Sequence, residues 1–163
     1  MSVKPTTSCI IGAFLYSSHA LADARITTER VRQVMAATDI AAEHRDTQGV
    51  GANLGQNFFK YVDVPAGEET AIARMNREQY LQLIDNGWDK VQNYTYQRKD
   101  VVVNVAQDGA TAESFSTVVE TFTVDGENIV SKVREYASYE LEDGRPVIVS
   151  INSQPLVGDT TPP

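Results

Sequence analysis

The spacing of apolar residues predicts two amphipathic helices in the first half of the chain. From Thr27, a suitable N-cap, to about Asp46, apolar positions recur with the 3.6-residue period of a helix that buries one face. A second helix begins at Asn76, where Asn-x-x-Gln has the form of a capping box. Its predicted inner face carries Tyr80, Leu83, Ile84, Gly87, Trp88 and Val91. Between the helices, residues 58–62 predict a short strand, followed by a turn at 65–67.

The second half of the chain changes to the period of β-strands. Asp-Gly dipeptides at 108–109, 125–126 and 143–144 suit the two positive-φ positions of a type I′ hairpin turn. The segments around these turns are rich in Val, Thr, Phe and Tyr. We therefore predict an antiparallel four-stranded meander over residues 93–107, 110–124, 127–142 and 145–154.

Tight turns fix the register of a hairpin, so alternation assigns each side chain to a face. The predicted inner face pairs Phe122 with Ile129, Val118 with Val133 and Tyr139 with Ile148, and adds Val101, Val103 and Val105. The opposite face gathers Val102, Phe115, Val119, Val130, Tyr136, Val149 and Ile151. This outer face is too apolar for a solvated sheet, so we expect a homodimer to cover it.

Residues 1–22 have the pattern of a cleavable signal peptide. Lys4 precedes an apolar stretch from Cys9 to Tyr16, and Ala20-Leu21-Ala22 is a small-x-small cleavage pattern before Asp23. This predicts a secreted or periplasmic protein with one domain over 23–154 and a disordered tail over 155–163. Cleavage would remove Cys9, the single cysteine.

Composition limits the class of partner. At 163 residues the chain has room for one well-packed domain. A formal net charge of −8 disfavours nucleic acid and anionic membrane surfaces as partners. We expect no membrane association after cleavage, and no motif implies a metal or a cofactor.

The order of elements resembles the nuclear transport factor 2-like superfamily, which includes ketosteroid isomerases, polyketide cyclases, dehydratases and non-catalytic members. The resemblance rests on this order, on residues 76–84 (Asn-Arg-Glu-Gln-Tyr-Leu-Gln-Leu-Ile) and on residues 118–126 (Val-Val-Glu-Thr-Phe-Thr-Val-Asp-Gly). It implies an α+β cone, in which helices pack in the concave face of a bent antiparallel sheet around a pocket. Because this fold carries many activities, the resemblance leaves the function open.

Polar residues at inner positions supply the first candidate site. In the predicted register Glu135 lies between Ser116 and Asn152, while Glu120 lies beside Ser131 with Gln97 opposite. An acid in an apolar cavity has a raised pKa and suits general acid–base catalysis. A β-bulge would turn these side chains outward, and a hydrogen-bonded network would make them structural. The predicted pocket contains Ser116, Ser131, Asn152, Tyr80, Trp88 and Gln97, the two aromatic residues being first interpreted as core.

Asp63 is a second candidate for catalysis, implied by the resemblance alone. Ketosteroid isomerases place a general-base aspartate shortly before a proline on the first strand, and Asp63-Val64-Pro65 is similar to that arrangement. The intervening valine departs from the family pattern and turns the side chain to the other side of a regular strand. The alternative is a solvated acid at a strand end.

Three functions follow from these observations. The first is binding of a small, mostly apolar ligand in the cone pocket. The second is an isomerase, cyclase or dehydratase that uses Glu135 or Glu120 as proton shuttle. The third is a dimeric interaction module whose cavity is filled by its own side chains.

Overall fold

The computed structural model describes residues 25–66 and 69–156. The predicted signal peptide, with Cys9, lies outside the described residues, as do residues 157–163 of the predicted tail. The last strand extends to Pro155, so regular structure continues one residue into the segment predicted as tail.

Three helices begin at polar caps in the described chain. They are α1 (Thr28–Glu43), α2 (Thr47–Gly51) and α3 (Arg77–Trp88). The Thr27 hydroxyl accepts a hydrogen bond from the Arg30 N–H, as predicted. At α3 the predicted capping box is present: Asn76 Oδ1 accepts from the Gln79 N–H at 2.9 Å, and Gln79 Oε1 accepts from the Asn76 N–H at 3.0 Å. The longest of these helices, α1, has 16 residues, and none has the length and hydropathy of a membrane span.

The strands of the described chain form one twisted sheet in the order β2-β1-β6-β5-β4-β3. The last four make the predicted meander, and only the pair β1–β6 is parallel. The first strand is longer than predicted, and its partner β2 was not predicted. The strand bounds are β1 Leu54–Ala66, β2 Glu69–Asn76, β3 Gln92–Val105, β4 Thr111–Val124, β5 Glu127–Glu142 and β6 Arg145–Pro155.

Two of the three predicted type I′ turns are confirmed. Asp125 and Gly126 have φ of 51° and 84°, and Asp143 and Gly144 have φ of 51° and 73°. At the first Asp-Gly only Gly109 has positive φ, at 69°, because four residues rather than two separate the bonded pair Ala106 and Thr111. The three predicted inner pairs around these turns are all present.

Two bulges reverse the alternation that the tight turns predict. In β3 the register shifts between Lys99 and Val102, around Asp100, whose φ is 53°. In β6 it shifts where Tyr139 pairs with Ile148 and Ser138 with Ser150, which leaves Val149 unpaired. Counted from the turn, one extra residue moves every side chain past it to the other face. The predicted faces are therefore wrong for β3 before Asp100 and for β6 after Val149, while Val103 and Val105 lie inside as predicted.

The helices and the inner face of the sheet enclose the hydrophobic core. Here the inner face is the face that packs against α1 and α3. Ile151, predicted on the outer face, is buried in this core because of the β6 bulge. Leu83, predicted inside, is 53% exposed, and Leu81 packs inward instead. The core includes Val31, Val34, Met35, Ala42, Phe58, Tyr139 and Ile148.

Candidate functional site

A cavity of about 220 Å³ lies between the helices and the inner face. One side consists of Ile84 and Trp88 of α3, and the other of Val118 and Val133 of the sheet. The remaining lining residues are Thr38, Ala42, Val50, Lys60, Tyr80, Tyr94, Tyr96, Arg98, Glu120, Glu135, Ile151 and Ser153. The space equals that of about seven waters in the liquid, which is enough for a small organic molecule.

Glu135 forms the centre of a buried ion cluster at one end of the cavity. Its side chain faces inward, as predicted, and the residue is 7% exposed. Arg98 Nη1 donates to Glu135 Oε1 at 2.7 Å, and Lys60 Nζ lies 3.4 Å from Oε2. Ser116 is its partner on β4, as predicted, but its partner on β6 is Ser153.

This environment contradicts the expected raised pKa of Glu135. Burial alone would raise it, but Arg98 and then Lys60 more than reverse this, and the pKa falls to about 2. The carboxylate is therefore charged at neutral pH and held between two cations. It is an anchor for Arg98 and Lys60, and a poor general base.

Lys60 brings an amine to the edge of the cavity. It is 7% exposed, donates to Ser153 Oγ at 2.6 Å, and its Nζ lies 5.5 Å from the centre of the Tyr80 ring. Burial lowers the pKa of Lys60, and the charge of Glu135 opposes that effect. Because Lys60 lies two residues after the buried Phe58 on β1, the two side chains share the inner face.

Arg98 is held by partners within the protein. Its Nε donates to Asp39 Oδ1 at 2.9 Å, and its Nη2 donates to the Tyr96 hydroxyl at 2.7 Å. Its Nη1 also donates to Ser116 Oγ at 2.6 Å. With most of its five donors occupied, Arg98 orders the cluster and has little left for a ligand.

Glu120 lines the cavity in different surroundings. It pairs with Ser131, as predicted, and its Oε1 accepts a hydrogen bond of 2.6 Å from the Tyr94 hydroxyl. The Tyr94 ring contacts Trp88 edge to face, with centroids 6.0 Å apart. Ser131 lies on the inner face without lining the cavity.

Three predicted site residues lie elsewhere. The β3 bulge pairs Gln97 with Val119 on the outer face and brings Tyr96 opposite Glu120. The β6 bulge pairs Asn152 with Tyr136, also on the outer face. Asp63 pairs with Ile72 on β1 and does not line the cavity. Tyr80 and Trp88 do line it, while also packing against the core.

The sequence interpretation missed Lys60, Arg98 and Ser153, and its register assigned Tyr94 and Tyr96 to the outer face although both line the cavity. Lys60 carried a readable signal, since it is charged at a position that shares the face of Phe58. For Arg98 the signal was weak. Three consecutive valines, Val101 to Val103, do not fit the alternation of a regular strand. Such a run is typical of a strand whose register changes just before the run. Across the described ranges, no three His, Cys, Asp or Glu side chains cluster as a metal site.

Comparisons with known proteins identify the fold. No family model matches the chain, and no curated protein sequence matches it significantly. Solved structures match the chain in fold. A candidate scytalone dehydratase from Novosphingobium aromaticivorans is 9% identical, with a TM-score of 0.64 over 83% of this chain and 87% of that one.

Two further structures agree. A nuclear transport factor 2-like protein with a cystatin-like fold, also from Novosphingobium aromaticivorans, is 18% identical with a TM-score of 0.61, covering 80% and 82% of the two chains. LinA is 15% identical with a TM-score of 0.62, covering 83% and 92%. The predicted cone fold and the resemblance behind it are confirmed, and at these identities the likeness extends to the fold alone.

Proposed function

We propose that this protein of nuclear transport factor 2-like fold binds a small, mostly apolar molecule in the cavity of its cone. The observation that carries the proposal is the unfilled space of about 220 Å³, lined by aromatic and aliphatic side chains with charged groups at its edge. Concave, largely apolar sites with a few placed polar groups are typical of small-molecule binding.

The unfilled space favours this function over a purely structural module. Protein interiors are packed about as densely as organic crystals, so a void of this size loses contacts unless something occupies it. Val118 and Val133 leave room that larger residues at the same positions would fill. A module selected only for stability has no reason to keep that room.

The second candidate function is a proton-transfer enzyme. Glu120 is better suited than Glu135 to transfer the proton. Glu135 is fixed between two cations, whereas Glu120 reaches the cavity with a phenol as its hydrogen-bond donor. The scytalone dehydratase candidate and LinA are proteins of the same fold. Loss of a turnover in Glu120→Gln, with ligand binding retained, would distinguish catalysis from binding.

Native mass spectrometry of the protein purified from its own cells tests the binding function. We expect a co-purifying small molecule in the wild type and much less of it in Ile84→Trp, which fills the cavity from α3. Leu83→Trp is the matched control, because the neighbouring side chain is exposed. Equal ligand in all three proteins, or none in any, would refute the proposal.

Export and dimerisation are part of the same proposal. The N-terminal pattern supports a secreted or periplasmic protein, and the apolar outer face of the sheet supports a homodimer. The same spectra test both. We expect a mature chain that starts at or near Asp23, and a complex of twice its mass.

A further inference from the structure

The cavity has two polar regions with different charge. The first contains Glu135, opposite Ser116 on β4; the second is Glu120, four residues further along that strand. At about 3.3 Å per residue, Ser116 and Glu120 are roughly 13 Å apart along the backbone. The apolar side chains of Val118 and Val133 lie between them.

The first region is neutral overall. Arg98 and Lys60 supply two positive charges, and Glu135 and Asp39 supply two negative charges within hydrogen-bonding reach of them. A charged ligand would add a charge that no group in this region compensates. This region therefore suits a neutral polar group, such as a hydroxyl or carbonyl.

The second region is the Glu120 carboxylate, whose charge partly opposes the lowering of the Lys60 pKa although the described residues form no ion pair between these two groups. Within the part of the chain that the structure describes, no Lys, Arg or His nitrogen lies within 4.0 Å of the Glu120 carboxylate. The Tyr94 hydroxyl donates to it, which orients the carboxylate without neutralising it. Burial and the charge of Glu120 raise the pKa of Tyr94, so this donor keeps its proton at neutral pH.

Aromatic rings line the same cavity as that carboxylate. Trp88 and Tyr94 pack edge to face, and Tyr80 lies two turns before Trp88 on the same side of α3, with all three lining the cavity. The faces of aromatic rings attract cations, most strongly Trp, and cages of such rings recognise quaternary ammonium groups. A carboxylate beside them adds a direct charge interaction.

We propose that the ligand of this cavity carries an ammonium group, held against Glu120, Trp88 and Tyr94. Its apolar body rests on Val118 and Val133, and its size is limited by the volume of about 220 Å³. The inference rests on the proposed binding function and specifies the chemical class of the ligand.

Choline and 3,3-dimethyl-1-butanol form a matched pair of probes. They have nearly the same shape, but a neutral carbon replaces the ammonium nitrogen in the second. Trp88 is the single tryptophan of the chain, so its fluorescence reports binding at this site. We expect wild-type protein to bind choline about tenfold or more tightly than the neutral probe, since each 1.4 kcal/mol corresponds to a factor of ten.

Glu120→Gln should remove this preference while leaving affinity for 3,3-dimethyl-1-butanol within about twofold. Glu113→Gln is the control, because Glu113 is an exposed carboxylate on the same strand. If Glu120→Gln does not fold, the ratio of affinities in the wild type decides the question, and Tyr94→Phe should reduce the preference by loosening the carboxylate.

The outcomes separate the two proposals. Equal affinity for both probes in the wild type, or an unchanged preference in Glu120→Gln, overturns the ammonium inference and leaves ligand binding intact. A co-purifying ligand without a cationic nitrogen does the same. Absence of binding by either probe, together with no co-purifying ligand in native mass spectrometry, overturns both.

Discussion

Glu135 shows how a residue can be correctly placed from sequence and wrongly understood. It faces inward as predicted, but the two cations beside it change its chemistry. Removing one member of a buried ion cluster leaves the others without compensation in a poorly solvated interior, which is strongly destabilising. Its role in this protein is first to make the burial of Arg98 and Lys60 possible.

We therefore expect Glu135→Gln to lower the free energy of unfolding by about 3–5 kcal/mol. The amide keeps the shape of the side chain but leaves Arg98 and Lys60 with an uncompensated charge. Urea denaturation measures the change. Glu113→Gln, on the exposed side of the same sheet, should shift stability by less than about 0.5 kcal/mol.

Lowering the pH should reduce the difference in the free energy of unfolding between wild type and Glu135→Gln. The pKa of Glu135 falls from 4.5 to about 2 on folding, so its contribution is complete above pH 4.5 and is lost as the pH falls towards 2. That contribution is roughly 3 kcal/mol. Burial raises the pKa of Asp39 despite Arg98, which acts in the opposite sense. Because Asp39 is present in both proteins, its effect largely cancels in the comparison. A difference that stays constant from pH 6 to pH 2 would contradict the ion-cluster interpretation.

At the scale of elements, the β3–β4 loop also holds the segment that precedes α1. The Ile26 N–H donates to the Gly109 carbonyl at 2.8 Å, which ties the segment before α1 to this loop. A Cβ at Gly109 would lie 2.9 Å from the Cβ of Arg25 and 3.3 Å from the carbonyl oxygen of Ile26. The loop is therefore constrained by packing as well as by its positive φ.

Gly109→Ala should destabilise the protein more than Gly126→Ala. Both glycines have positive φ, which costs alanine about 1 kcal/mol, but a Cβ at Gly126 meets no atom within 4 Å. The difference between the two variants in thermal unfolding isolates the cost of displacing residues 25–26. Equal shifts in melting temperature would mean that this segment moves aside freely.

At the scale of the whole molecule, we propose the outer face of the sheet as the contact of the predicted homodimer. Phe115 and Tyr136 pack edge to face there with centroids 5.0 Å apart, and Tyr136 pairs with Asn152. The Asn152 Oδ1 atom is buried and accepts no hydrogen bond from the described residues. We propose that a second copy of this chain covers the apolar surface of this face. Ile151, predicted for this contact, belongs to the core and is not part of it.

Tyr136→Glu should shift the protein from dimer to monomer, because it places a charge in the middle of the apolar contact. Sedimentation equilibrium measures the mass, and Tyr136→Phe, which keeps the ring, should remain dimeric. A wild-type protein that sediments as a monomer at micromolar concentration would exclude this surface as a stable dimer contact.

The sequence by itself determined the helices α1 and α3, the meander and the register next to each tight turn. Caps such as Thr27 and Asn76 act within one helical turn, and Asp125-Gly126 and Asp143-Gly144 fix adjacent strands through local backbone geometry. For the same reason Glu135 and Glu120 were correctly placed on the inner face and opposite Ser116 and Ser131. These features depend on neighbours along the chain, which the sequence shows directly.

Only the tertiary structure decided which residues meet in the cavity. One extra residue at Asp100 turns Arg98 and Tyr96 inward in place of Gln97, and one at Val149 exchanges Asn152 for Ser153. Lys60 reaches Glu135 because β1 pairs in parallel with β6, a contact between distant parts of the chain. The charge state of Glu135 then follows from these neighbours, because a pKa is set by the charges and burial around a group and not by its place in the sequence.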